Sequence, residues 1–133
     1  MLNAMLDTNV LVRVLRTNPP HIERRLRTEA NSFCISSIIL HELYVGAELS
    51  NRFEEQYMLA DQWAARLTVL SFDTAAARHA ANIRADLTRR GKMIGGNDIL
   101  IAGHARSLGV TLITGNLGEF TRVDGLRCED WLA

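Results

Sequence analysis

The sequence contains little cysteine and carries no excess charge of either sign. Only two of its 133 residues are cysteines, and Cys34 and Cys128 lie too far apart to suggest a zinc site or a disulfide framework. Lys plus Arg and Asp plus Glu number 15 each, so no net charge steers the molecule toward polyanions. Any nucleic-acid site must therefore be a local patch.

Long apolar runs and linkers are missing as well. No stretch approaches the length of a transmembrane helix, and the segment Met1 to Asp7 lacks the basic and apolar regions of a signal peptide. We therefore expect a cytoplasmic protein with reduced cysteines and no membrane association. Both prolines stand together at Pro19 and Pro20, and no repeat or linker divides the chain. Residues 1–133 are expected to form a single domain.

Short apolar runs alternate with helical patterns along the chain. The runs that predict strands are Leu2 to Leu6, Ser32 to Ile35, Leu67 to Phe72, Val110 to Thr114 and, as a candidate edge strand, Leu126 to Trp131. The segments that predict helices are Val10 to Leu15, Ile38 to Leu49, Arg52 to Arg66, Thr74 to Arg90 and Ile99 to Leu108. This alternation predicts an α/β fold with a mainly parallel sheet of four to five strands, covered by helices on both faces.

Helix-capping residues support these boundaries. Ser36 or Ser37 can cap the helix that begins at Ile38, and Asp73 can cap the alanine-rich helix. Gly91 and Gly109 end the last two long helices. In a sheet of this kind, ligands bind at the carboxyl ends of the strands.

Three carboxylates occupy positions where a solvated surface charge is not expected. Asp7 directly follows the first strand, although a turn or helix cap would also explain it. Glu42 lies on the same helical face as Ile38, Ile39 and Val45, so its charge is expected to need a partner unless it reaches solvent or an arginine. Asp98 repeats this pattern on its own helix, where the helix dipole alone would also favour it.

These acids are expected to meet at one edge of the sheet, where closely spaced like charges need a cation. Oxygen ligands suit Mg²⁺, or Mn²⁺ as a substitute, and no His or Cys cluster competes. After the fourth strand, Asn116 and Glu119 offer two more oxygen donors, although Asn116 with Gly115 would equally form a simple turn. The predicted metal ligands are Asp7, Glu42, Asp98 and Glu119.

Several short motifs follow one another in a specific order over nearly the whole chain. They are Met5-Leu6-Asp7-Thr8-Asn9, Ile35-Ser36-Ser37, His41-Glu42-Leu43, Gly46-Ala47-Glu48, Ile94-Gly95, Asn97-Asp98, Ile101-Ala102, Thr114, Asn116, Glu119-Phe120, Val123, Gly125-Leu126 and Glu129-Asp130-Trp131. The ordered set resembles the VapC toxins, which are PIN-domain ribonucleases of type II toxin-antitoxin pairs.

The resemblance implies a PIN domain, a three-layer α/β/α sandwich, with Asp7, Glu42 and Asp98 as metal-binding catalytic acids. Many PIN domains have an aspartate where this chain has Asn116, so Asn116 or Glu119 is the fourth site residue. The closing motif is similar to the subgroup that cuts initiator tRNA in its anticodon stem-loop and so inhibits translation. The resemblance also implies a neutralising VapB-type antitoxin, a homodimer and a toxin-antitoxin hetero-oligomer.

Basic and polar side chains near the acidic edge are expected to position RNA, because contacts to its phosphates orient the strand. We predict Thr8, Asn9, Arg84 and Lys92 as substrate-binding residues, although a solvated helix end also explains the last two. The expected reaction is hydrolysis of a phosphodiester to a 5′-phosphate and a 3′-hydroxyl.

Three other interpretations fit the residues less well. A haloacid-dehalogenase-type phosphatase needs a second aspartate where Asn9 stands, and a response-regulator receiver needs a lysine that Gly115-Asn116 does not supply. A PIN-like module that binds RNA or protein without strong catalysis would gain nothing from three inward acids, which destabilise a fold without a cation.

Overall fold

The computed structural model describes residues 2–17 and 20–131. Its strands are β1 (Ala4–Leu6), β2 (Phe33–Ser36), β3 (Thr68–Leu70), β4 (Thr111–Ile113) and β5 (Cys128–Glu129). They form one parallel sheet in the order β3-β2-β1-β4-β5. The predicted parallel α/β fold is confirmed, and the candidate edge strand forms one border of the sheet.

Helices connect the strands. They are α1 (Thr8–Thr17), α2 (Pro20–Thr28), α3 (Ser37–Glu48), α4 (Phe53–Arg66), α5 (Thr74–Arg90), α6 (Gly96–Leu108) and the single turn α7 (Leu117–Phe120), with a 3₁₀ turn at Ala30–Ser32. Right-handed crossovers place the helices after β1 and β2 on one face of the sheet and those after β3 and β4 on the other, because the connections run in opposite directions. This is the predicted three-layer α/β/α sandwich.

Two helices were missing from the sequence prediction. The segment Pro20–Thr28 reads as a basic run, yet it folds as α2 and buries Ile22 and Leu26, with Pro20 at the first helical position. The short helix α7 buries Phe120. Both depend on burying apolar side chains in the core, which a local pattern does not reveal.

The predicted caps are confirmed. The Ser36 side chain accepts a hydrogen bond from the Ile38 N–H, and the Asp73 side chain accepts one from the Ala76 N–H. Gly91 ends α5 with φ of 65°, a left-handed conformation that glycine adopts without strain. These caps fix where α3 and α5 begin and end relative to the sheet.

The centre of the sheet is buried on both faces. Met5, Leu6, Ile35 and Leu112 on the three middle strands are fully buried, as expected for parallel strands covered by two helical layers. In the described part of the chain, no helix has the length and apolar character needed to cross a membrane.

Helices α5 and α6 approach each other closely at Gly103. A Cβ atom at this position would lie 2.6 Å from the Ala80 backbone nitrogen, well inside van der Waals contact. Only glycine therefore permits this crossing, which holds the helix that carries Asp98.

Candidate active site

Asp7 is the first residue after the central strand β1, and it is almost completely buried. Its Oδ2 accepts a hydrogen bond of 2.7 Å from the Thr114 hydroxyl, and its Oδ1 accepts one of 2.8 Å from the Thr8 N–H. Burial raises the pKa of Asp7, whereas these two hydrogen bonds lower it and the nearby charge of Glu42 raises it. The carboxyl group is held on two sides.

Glu42 projects from α3 and is fixed by the start of α1. The Thr8 hydroxyl donates a hydrogen bond of 2.6 Å to Glu42 Oε1. Thr8 therefore contacts both acids, through its backbone N–H to Asp7 and through its hydroxyl to Glu42. This arrangement holds the two carboxylates beside each other although they come from different elements.

Asp98 lies in the first turn of α6, and Glu119 lies on α7. Burial and the charge of Asp7 raise the pKa of Asp98 to about 7, with further contributions from a hydrogen bond and charge repulsion with Glu119 and from Glu42. The charges of Asp7, Glu119 and Glu42 therefore all disfavour the ionisation of Asp98. A proton on Asp98 relieves this repulsion in the absence of a cation.

The loop after β4 is held against the same edge. The Asn116 N–H donates to Thr114 Oγ1, and the Gly115 N–H donates to Asn9 Oδ1. Asn116 lines a pocket together with Asp7, Thr8, Asn9, Val12, Arg13, Glu42 and Asp98. The loop thus closes one side of the pocket into which the acids project.

The donor set of this pocket fits a hard divalent cation. It consists of carboxylate, hydroxyl and amide oxygens, and burial together with the neighbouring negative charges raises the pKa of Asp98. Among the described residues, no group of three or more His, Cys, Asp or Glu side chains is arranged so that it could hold a metal ion, so the predicted ligand set of Asp7, Glu42, Asp98 and Glu119 stays a prediction.

Sequence comparison identifies the family. A family model for the PIN domain matches residues 4–126. The tRNA(fMet)-specific endonuclease VapC of Shigella flexneri is 44% identical over 131 residues, which cover 98% of this chain and 99% of that protein. Ribonuclease VapC2 of Haemophilus influenzae is 45% identical over 99% of this chain and its own full length. The chain belongs to the VapC family of PIN-domain ribonucleases.

Solved structures agree with this assignment. The DNA-bound VapBC complex of Salmonella typhimurium contains a chain that is 45% identical, with a TM-score of 0.95 over 98% of this chain and 99% of that one. The strand order also argues against a response-regulator receiver, whose sheet has the order 2-1-3-4-5. The PIN fold predicted from the VapC resemblance is therefore confirmed.

The structure brings most of the candidate site residues together. Asp7, Glu42, Asp98 and Asn116 line one pocket with Thr8 and Asn9, and Glu119 joins them through its hydrogen bond with Asp98. Arg84 and Lys92 are exposed on α5 and in the loop that follows it, and they do not line this pocket. Their contact with RNA stays a prediction.

Two residues of the site were not singled out from the sequence. Thr114 was noted only as part of a motif, yet it is fully buried and holds Asp7. Arg13, an exposed residue of α1, brings a positive charge to the pocket. Its position four residues after Asn9 places both on one face of α1, and this spacing could have indicated it.

Proposed function

We propose that this VapC-family chain is a Mg²⁺-dependent endoribonuclease that cuts initiator tRNA in its anticodon stem-loop and thereby inhibits translation in the cytoplasm. The observation that supports this proposal is the convergence of Asp7, Glu42 and Asp98 in one pocket at the carboxyl edge of the sheet. The substrate class is suggested by the tRNA(fMet)-specific relatives of Shigella and Salmonella.

Asp7, Asp98 and Glu42 would hold the cation, with Mn²⁺ as a possible substitute, and Glu119 would extend the acidic set. A bound divalent cation supplies positive charge beside the phosphate and lowers the pKa of water. The chain's own contribution is to fix the ligands before RNA arrives: Thr114 and the Thr8 N–H hold Asp7, and the Thr8 hydroxyl holds Glu42. This preorganisation keeps the carboxylates aimed at one pocket.

Substrate binding requires basic side chains that offset the negative charge of the acidic pocket, because RNA is a polyanion. Arg13 lies in the pocket lining and would orient a phosphate next to the scissile bond. Asn9 uses its Oδ1 to hold the Gly115 loop, which leaves its amide NH₂ group to contact RNA. Arg84 and Lys92 would contact the tRNA further from the cut.

The proposed partners come from the similar solved structures. Three of the similar solved structures are VapBC complexes, from Salmonella typhimurium, Rickettsia felis and Haemophilus influenzae. We propose a VapB-type antitoxin that neutralises this chain, and a homodimeric toxin within a toxin-antitoxin hetero-oligomer. A VapB segment would block the acidic pocket.

The test uses purified protein with initiator tRNA and with one elongator tRNA, each in Mg²⁺ and in chelator. We expect one main cut in the anticodon stem-loop of initiator tRNA, bearing a 5′-phosphate, only when Mg²⁺ is present. Asp7→Asn should abolish it. Asp124→Asn makes the same chemical change at an exposed turn and should cleave normally.

Cleavage that persists in chelator, or that Asp7→Asn leaves intact, would contradict the metal-dependent mechanism. Equal cutting of both tRNAs would contradict the substrate while leaving the ribonuclease activity in place. Binding of tRNA without any cut would instead indicate a non-catalytic RNA-binding module.

A further inference from the structure

Two helices carry catalytic acids, and a buried polar contact joins them outside the pocket. His104 of α6 is 1% exposed and Ser36, at the junction of β2 and α3, is fully buried. The imidazole Nδ1 of His104 lies 2.8 Å from Ser36 Oγ. Buried polar contacts of this kind fix one packing arrangement, because the alternative leaves polar atoms without partners.

The Ser36 hydroxyl has two roles at this point. Its oxygen accepts a hydrogen bond of 3.1 Å from the Ile38 N–H and so caps α3. Its proton then needs an acceptor, and the Nδ1 of a neutral imidazole is suited to take it. Burial lowers the pKa of His104, which favours that neutral form although the charge of Asp73 opposes the shift.

A second set of contacts holds the same end of α3. The Phe72 N–H donates to Ser37 Oγ at 3.0 Å, and the Phe72 ring packs edge-on against the His104 ring at 5.6 Å. The first turn of α3 is thus fixed by α6 and by the loop that precedes α5. These contacts restrict rotation and sliding of α3 against α6.

The acids lie at corresponding distances from this contact. Glu42 follows Ser36 by six residues on α3, and Asp98 precedes His104 by six residues on α6. Each interval corresponds to about 9 Å along a helix axis. A change in the Ser36–His104 contact would therefore alter the separation of Glu42 and Asp98 without touching either side chain.

We propose that His104 is a positioning residue which, through Ser36, sets the separation of Glu42 on α3 and Asp98 on α6 that a divalent cation requires. This inference rests on the proposed metal-dependent function. His104 does not line the acidic pocket, so it acts through the helices rather than on RNA.

The test measures Mn²⁺ binding directly, from the loss of the free-ion electron paramagnetic resonance signal, in the absence of RNA. His104→Leu removes the polar partner of Ser36, whereas His104→Asn places an amide atom near the position of Nδ1. Ser36→Ala removes the hydroxyl from the other side. Ile83→Val on α5 is the matched control, since it disturbs the core without touching the contact.

We expect His104→Leu and Ser36→Ala to raise the Mn²⁺ dissociation constant about three- to tenfold, in the range of measured couplings through a packed core. His104→Asn should recover most of the affinity, and Ile83→Val should match the unaltered protein. Wild-type affinity in His104→Leu, measured on folded protein, would overturn the inference, and so would an equal loss in Ile83→Val.

A parallel RNA cleavage assay separates this inference from the proposed function. If the unaltered protein binds Mn²⁺ and the variants weaken that binding, the positioning role stands even when no RNA is cut. If the unaltered protein does not bind Mn²⁺, both the proposed metal-dependent activity and the role of His104 are overturned.

Discussion

The Thr114 hydroxyl lies 2.7 Å from Asp7 Oδ2, although 107 residues separate the two in the sequence. They meet because β1 and β4 are adjacent parallel strands that end at the same level, with Leu6 paired to Ile113. One strand end supplies the acid and the neighbouring strand end supplies the hydroxyl that fixes it.

Replacing Thr114 by valine should damage both the fold and the activity. The change keeps the shape of the side chain but removes the donor to a buried carboxylate, which we expect to cost about 1–3 kcal/mol of unfolding free energy. Cleavage should fall at least about tenfold, as when a group that orients a metal ligand is removed. Urea unfolding and initial cleavage rates measure the two effects.

Two variants serve as references for this prediction. Thr114→Ser keeps the hydroxyl and should retain most of the activity. Thr121→Val removes an exposed hydroxyl that donates to the Leu117 carbonyl, away from the acidic pocket, so it should leave cleavage unchanged. A fully active Thr114→Val would show that Asp7 needs no such support.

The stabilisation by Mg²⁺ should depend on pH through Asp98. Folding raises the pKa of this residue from 3.8 to about 7, so the folded, metal-free protein binds more protons than the unfolded chain between these values. The stability that this proton contributes is present below pH 3.8 and is lost as the pH rises through about 7. Mg²⁺ should therefore raise the melting temperature more at about pH 8 than at about pH 5.5.

Asp98→Asn isolates this effect. His104, whose pKa is lowered, works in the opposite direction, because its contribution is lost as the pH falls below its unfolded value. The variant keeps His104 but removes the Asp98 charge. Without metal, raising the pH from about 5.5 to about 8 should therefore lower its melting temperature less than that of the unaltered protein. An identical pH profile would place the titrating group elsewhere.

Arg13→Ala should weaken RNA binding more than it slows the cut. If the guanidinium orients a phosphate, its loss raises KM with little change in kcat. It also lowers the slope of the logarithm of the binding constant against the logarithm of the salt concentration by about one. Arg24→Ala is a suitable comparison, because Arg24 is exposed on α2 and does not line the acidic pocket. Similar KM values for the two variants would remove Arg13 from the RNA site.

Gly103→Ala should destabilise the protein by about 1–3 kcal/mol, since the added methyl group meets the Ala80 backbone and must push α5 and α6 apart. Gly46→Ala on α3 is the matched change in open space, where alanine should stabilise the helix by about 0.5–1 kcal/mol. Urea denaturation of both variants tests the opposite signs. Equal stability of the two would show that the helices separate at no cost.

The sequence by itself determined the alternation of strands and helices, the cap at Asp73, and the position of Asp98 on the apolar face of its helix. These features follow from periodicity and from hydrogen bonds between near neighbours, which a local pattern records. The sequence left the cap of α3 open between Ser36 and Ser37, and it placed Val45 on the buried face with Glu42 although Val45 is 41% exposed. The segment that becomes α2 shows the limit, because its helix is stabilised by burying Ile22 and Leu26 against the rest of the molecule.

Only the tertiary structure decided which groups hold the acids. Thr114 with Asp7, Thr8 with Glu42, and His104 with Ser36 are pairs far apart in the sequence whose contacts depend on strand register and helix packing. A pattern shows that a side chain points inward, but the partner it meets there is set by elements folded from distant parts of the chain.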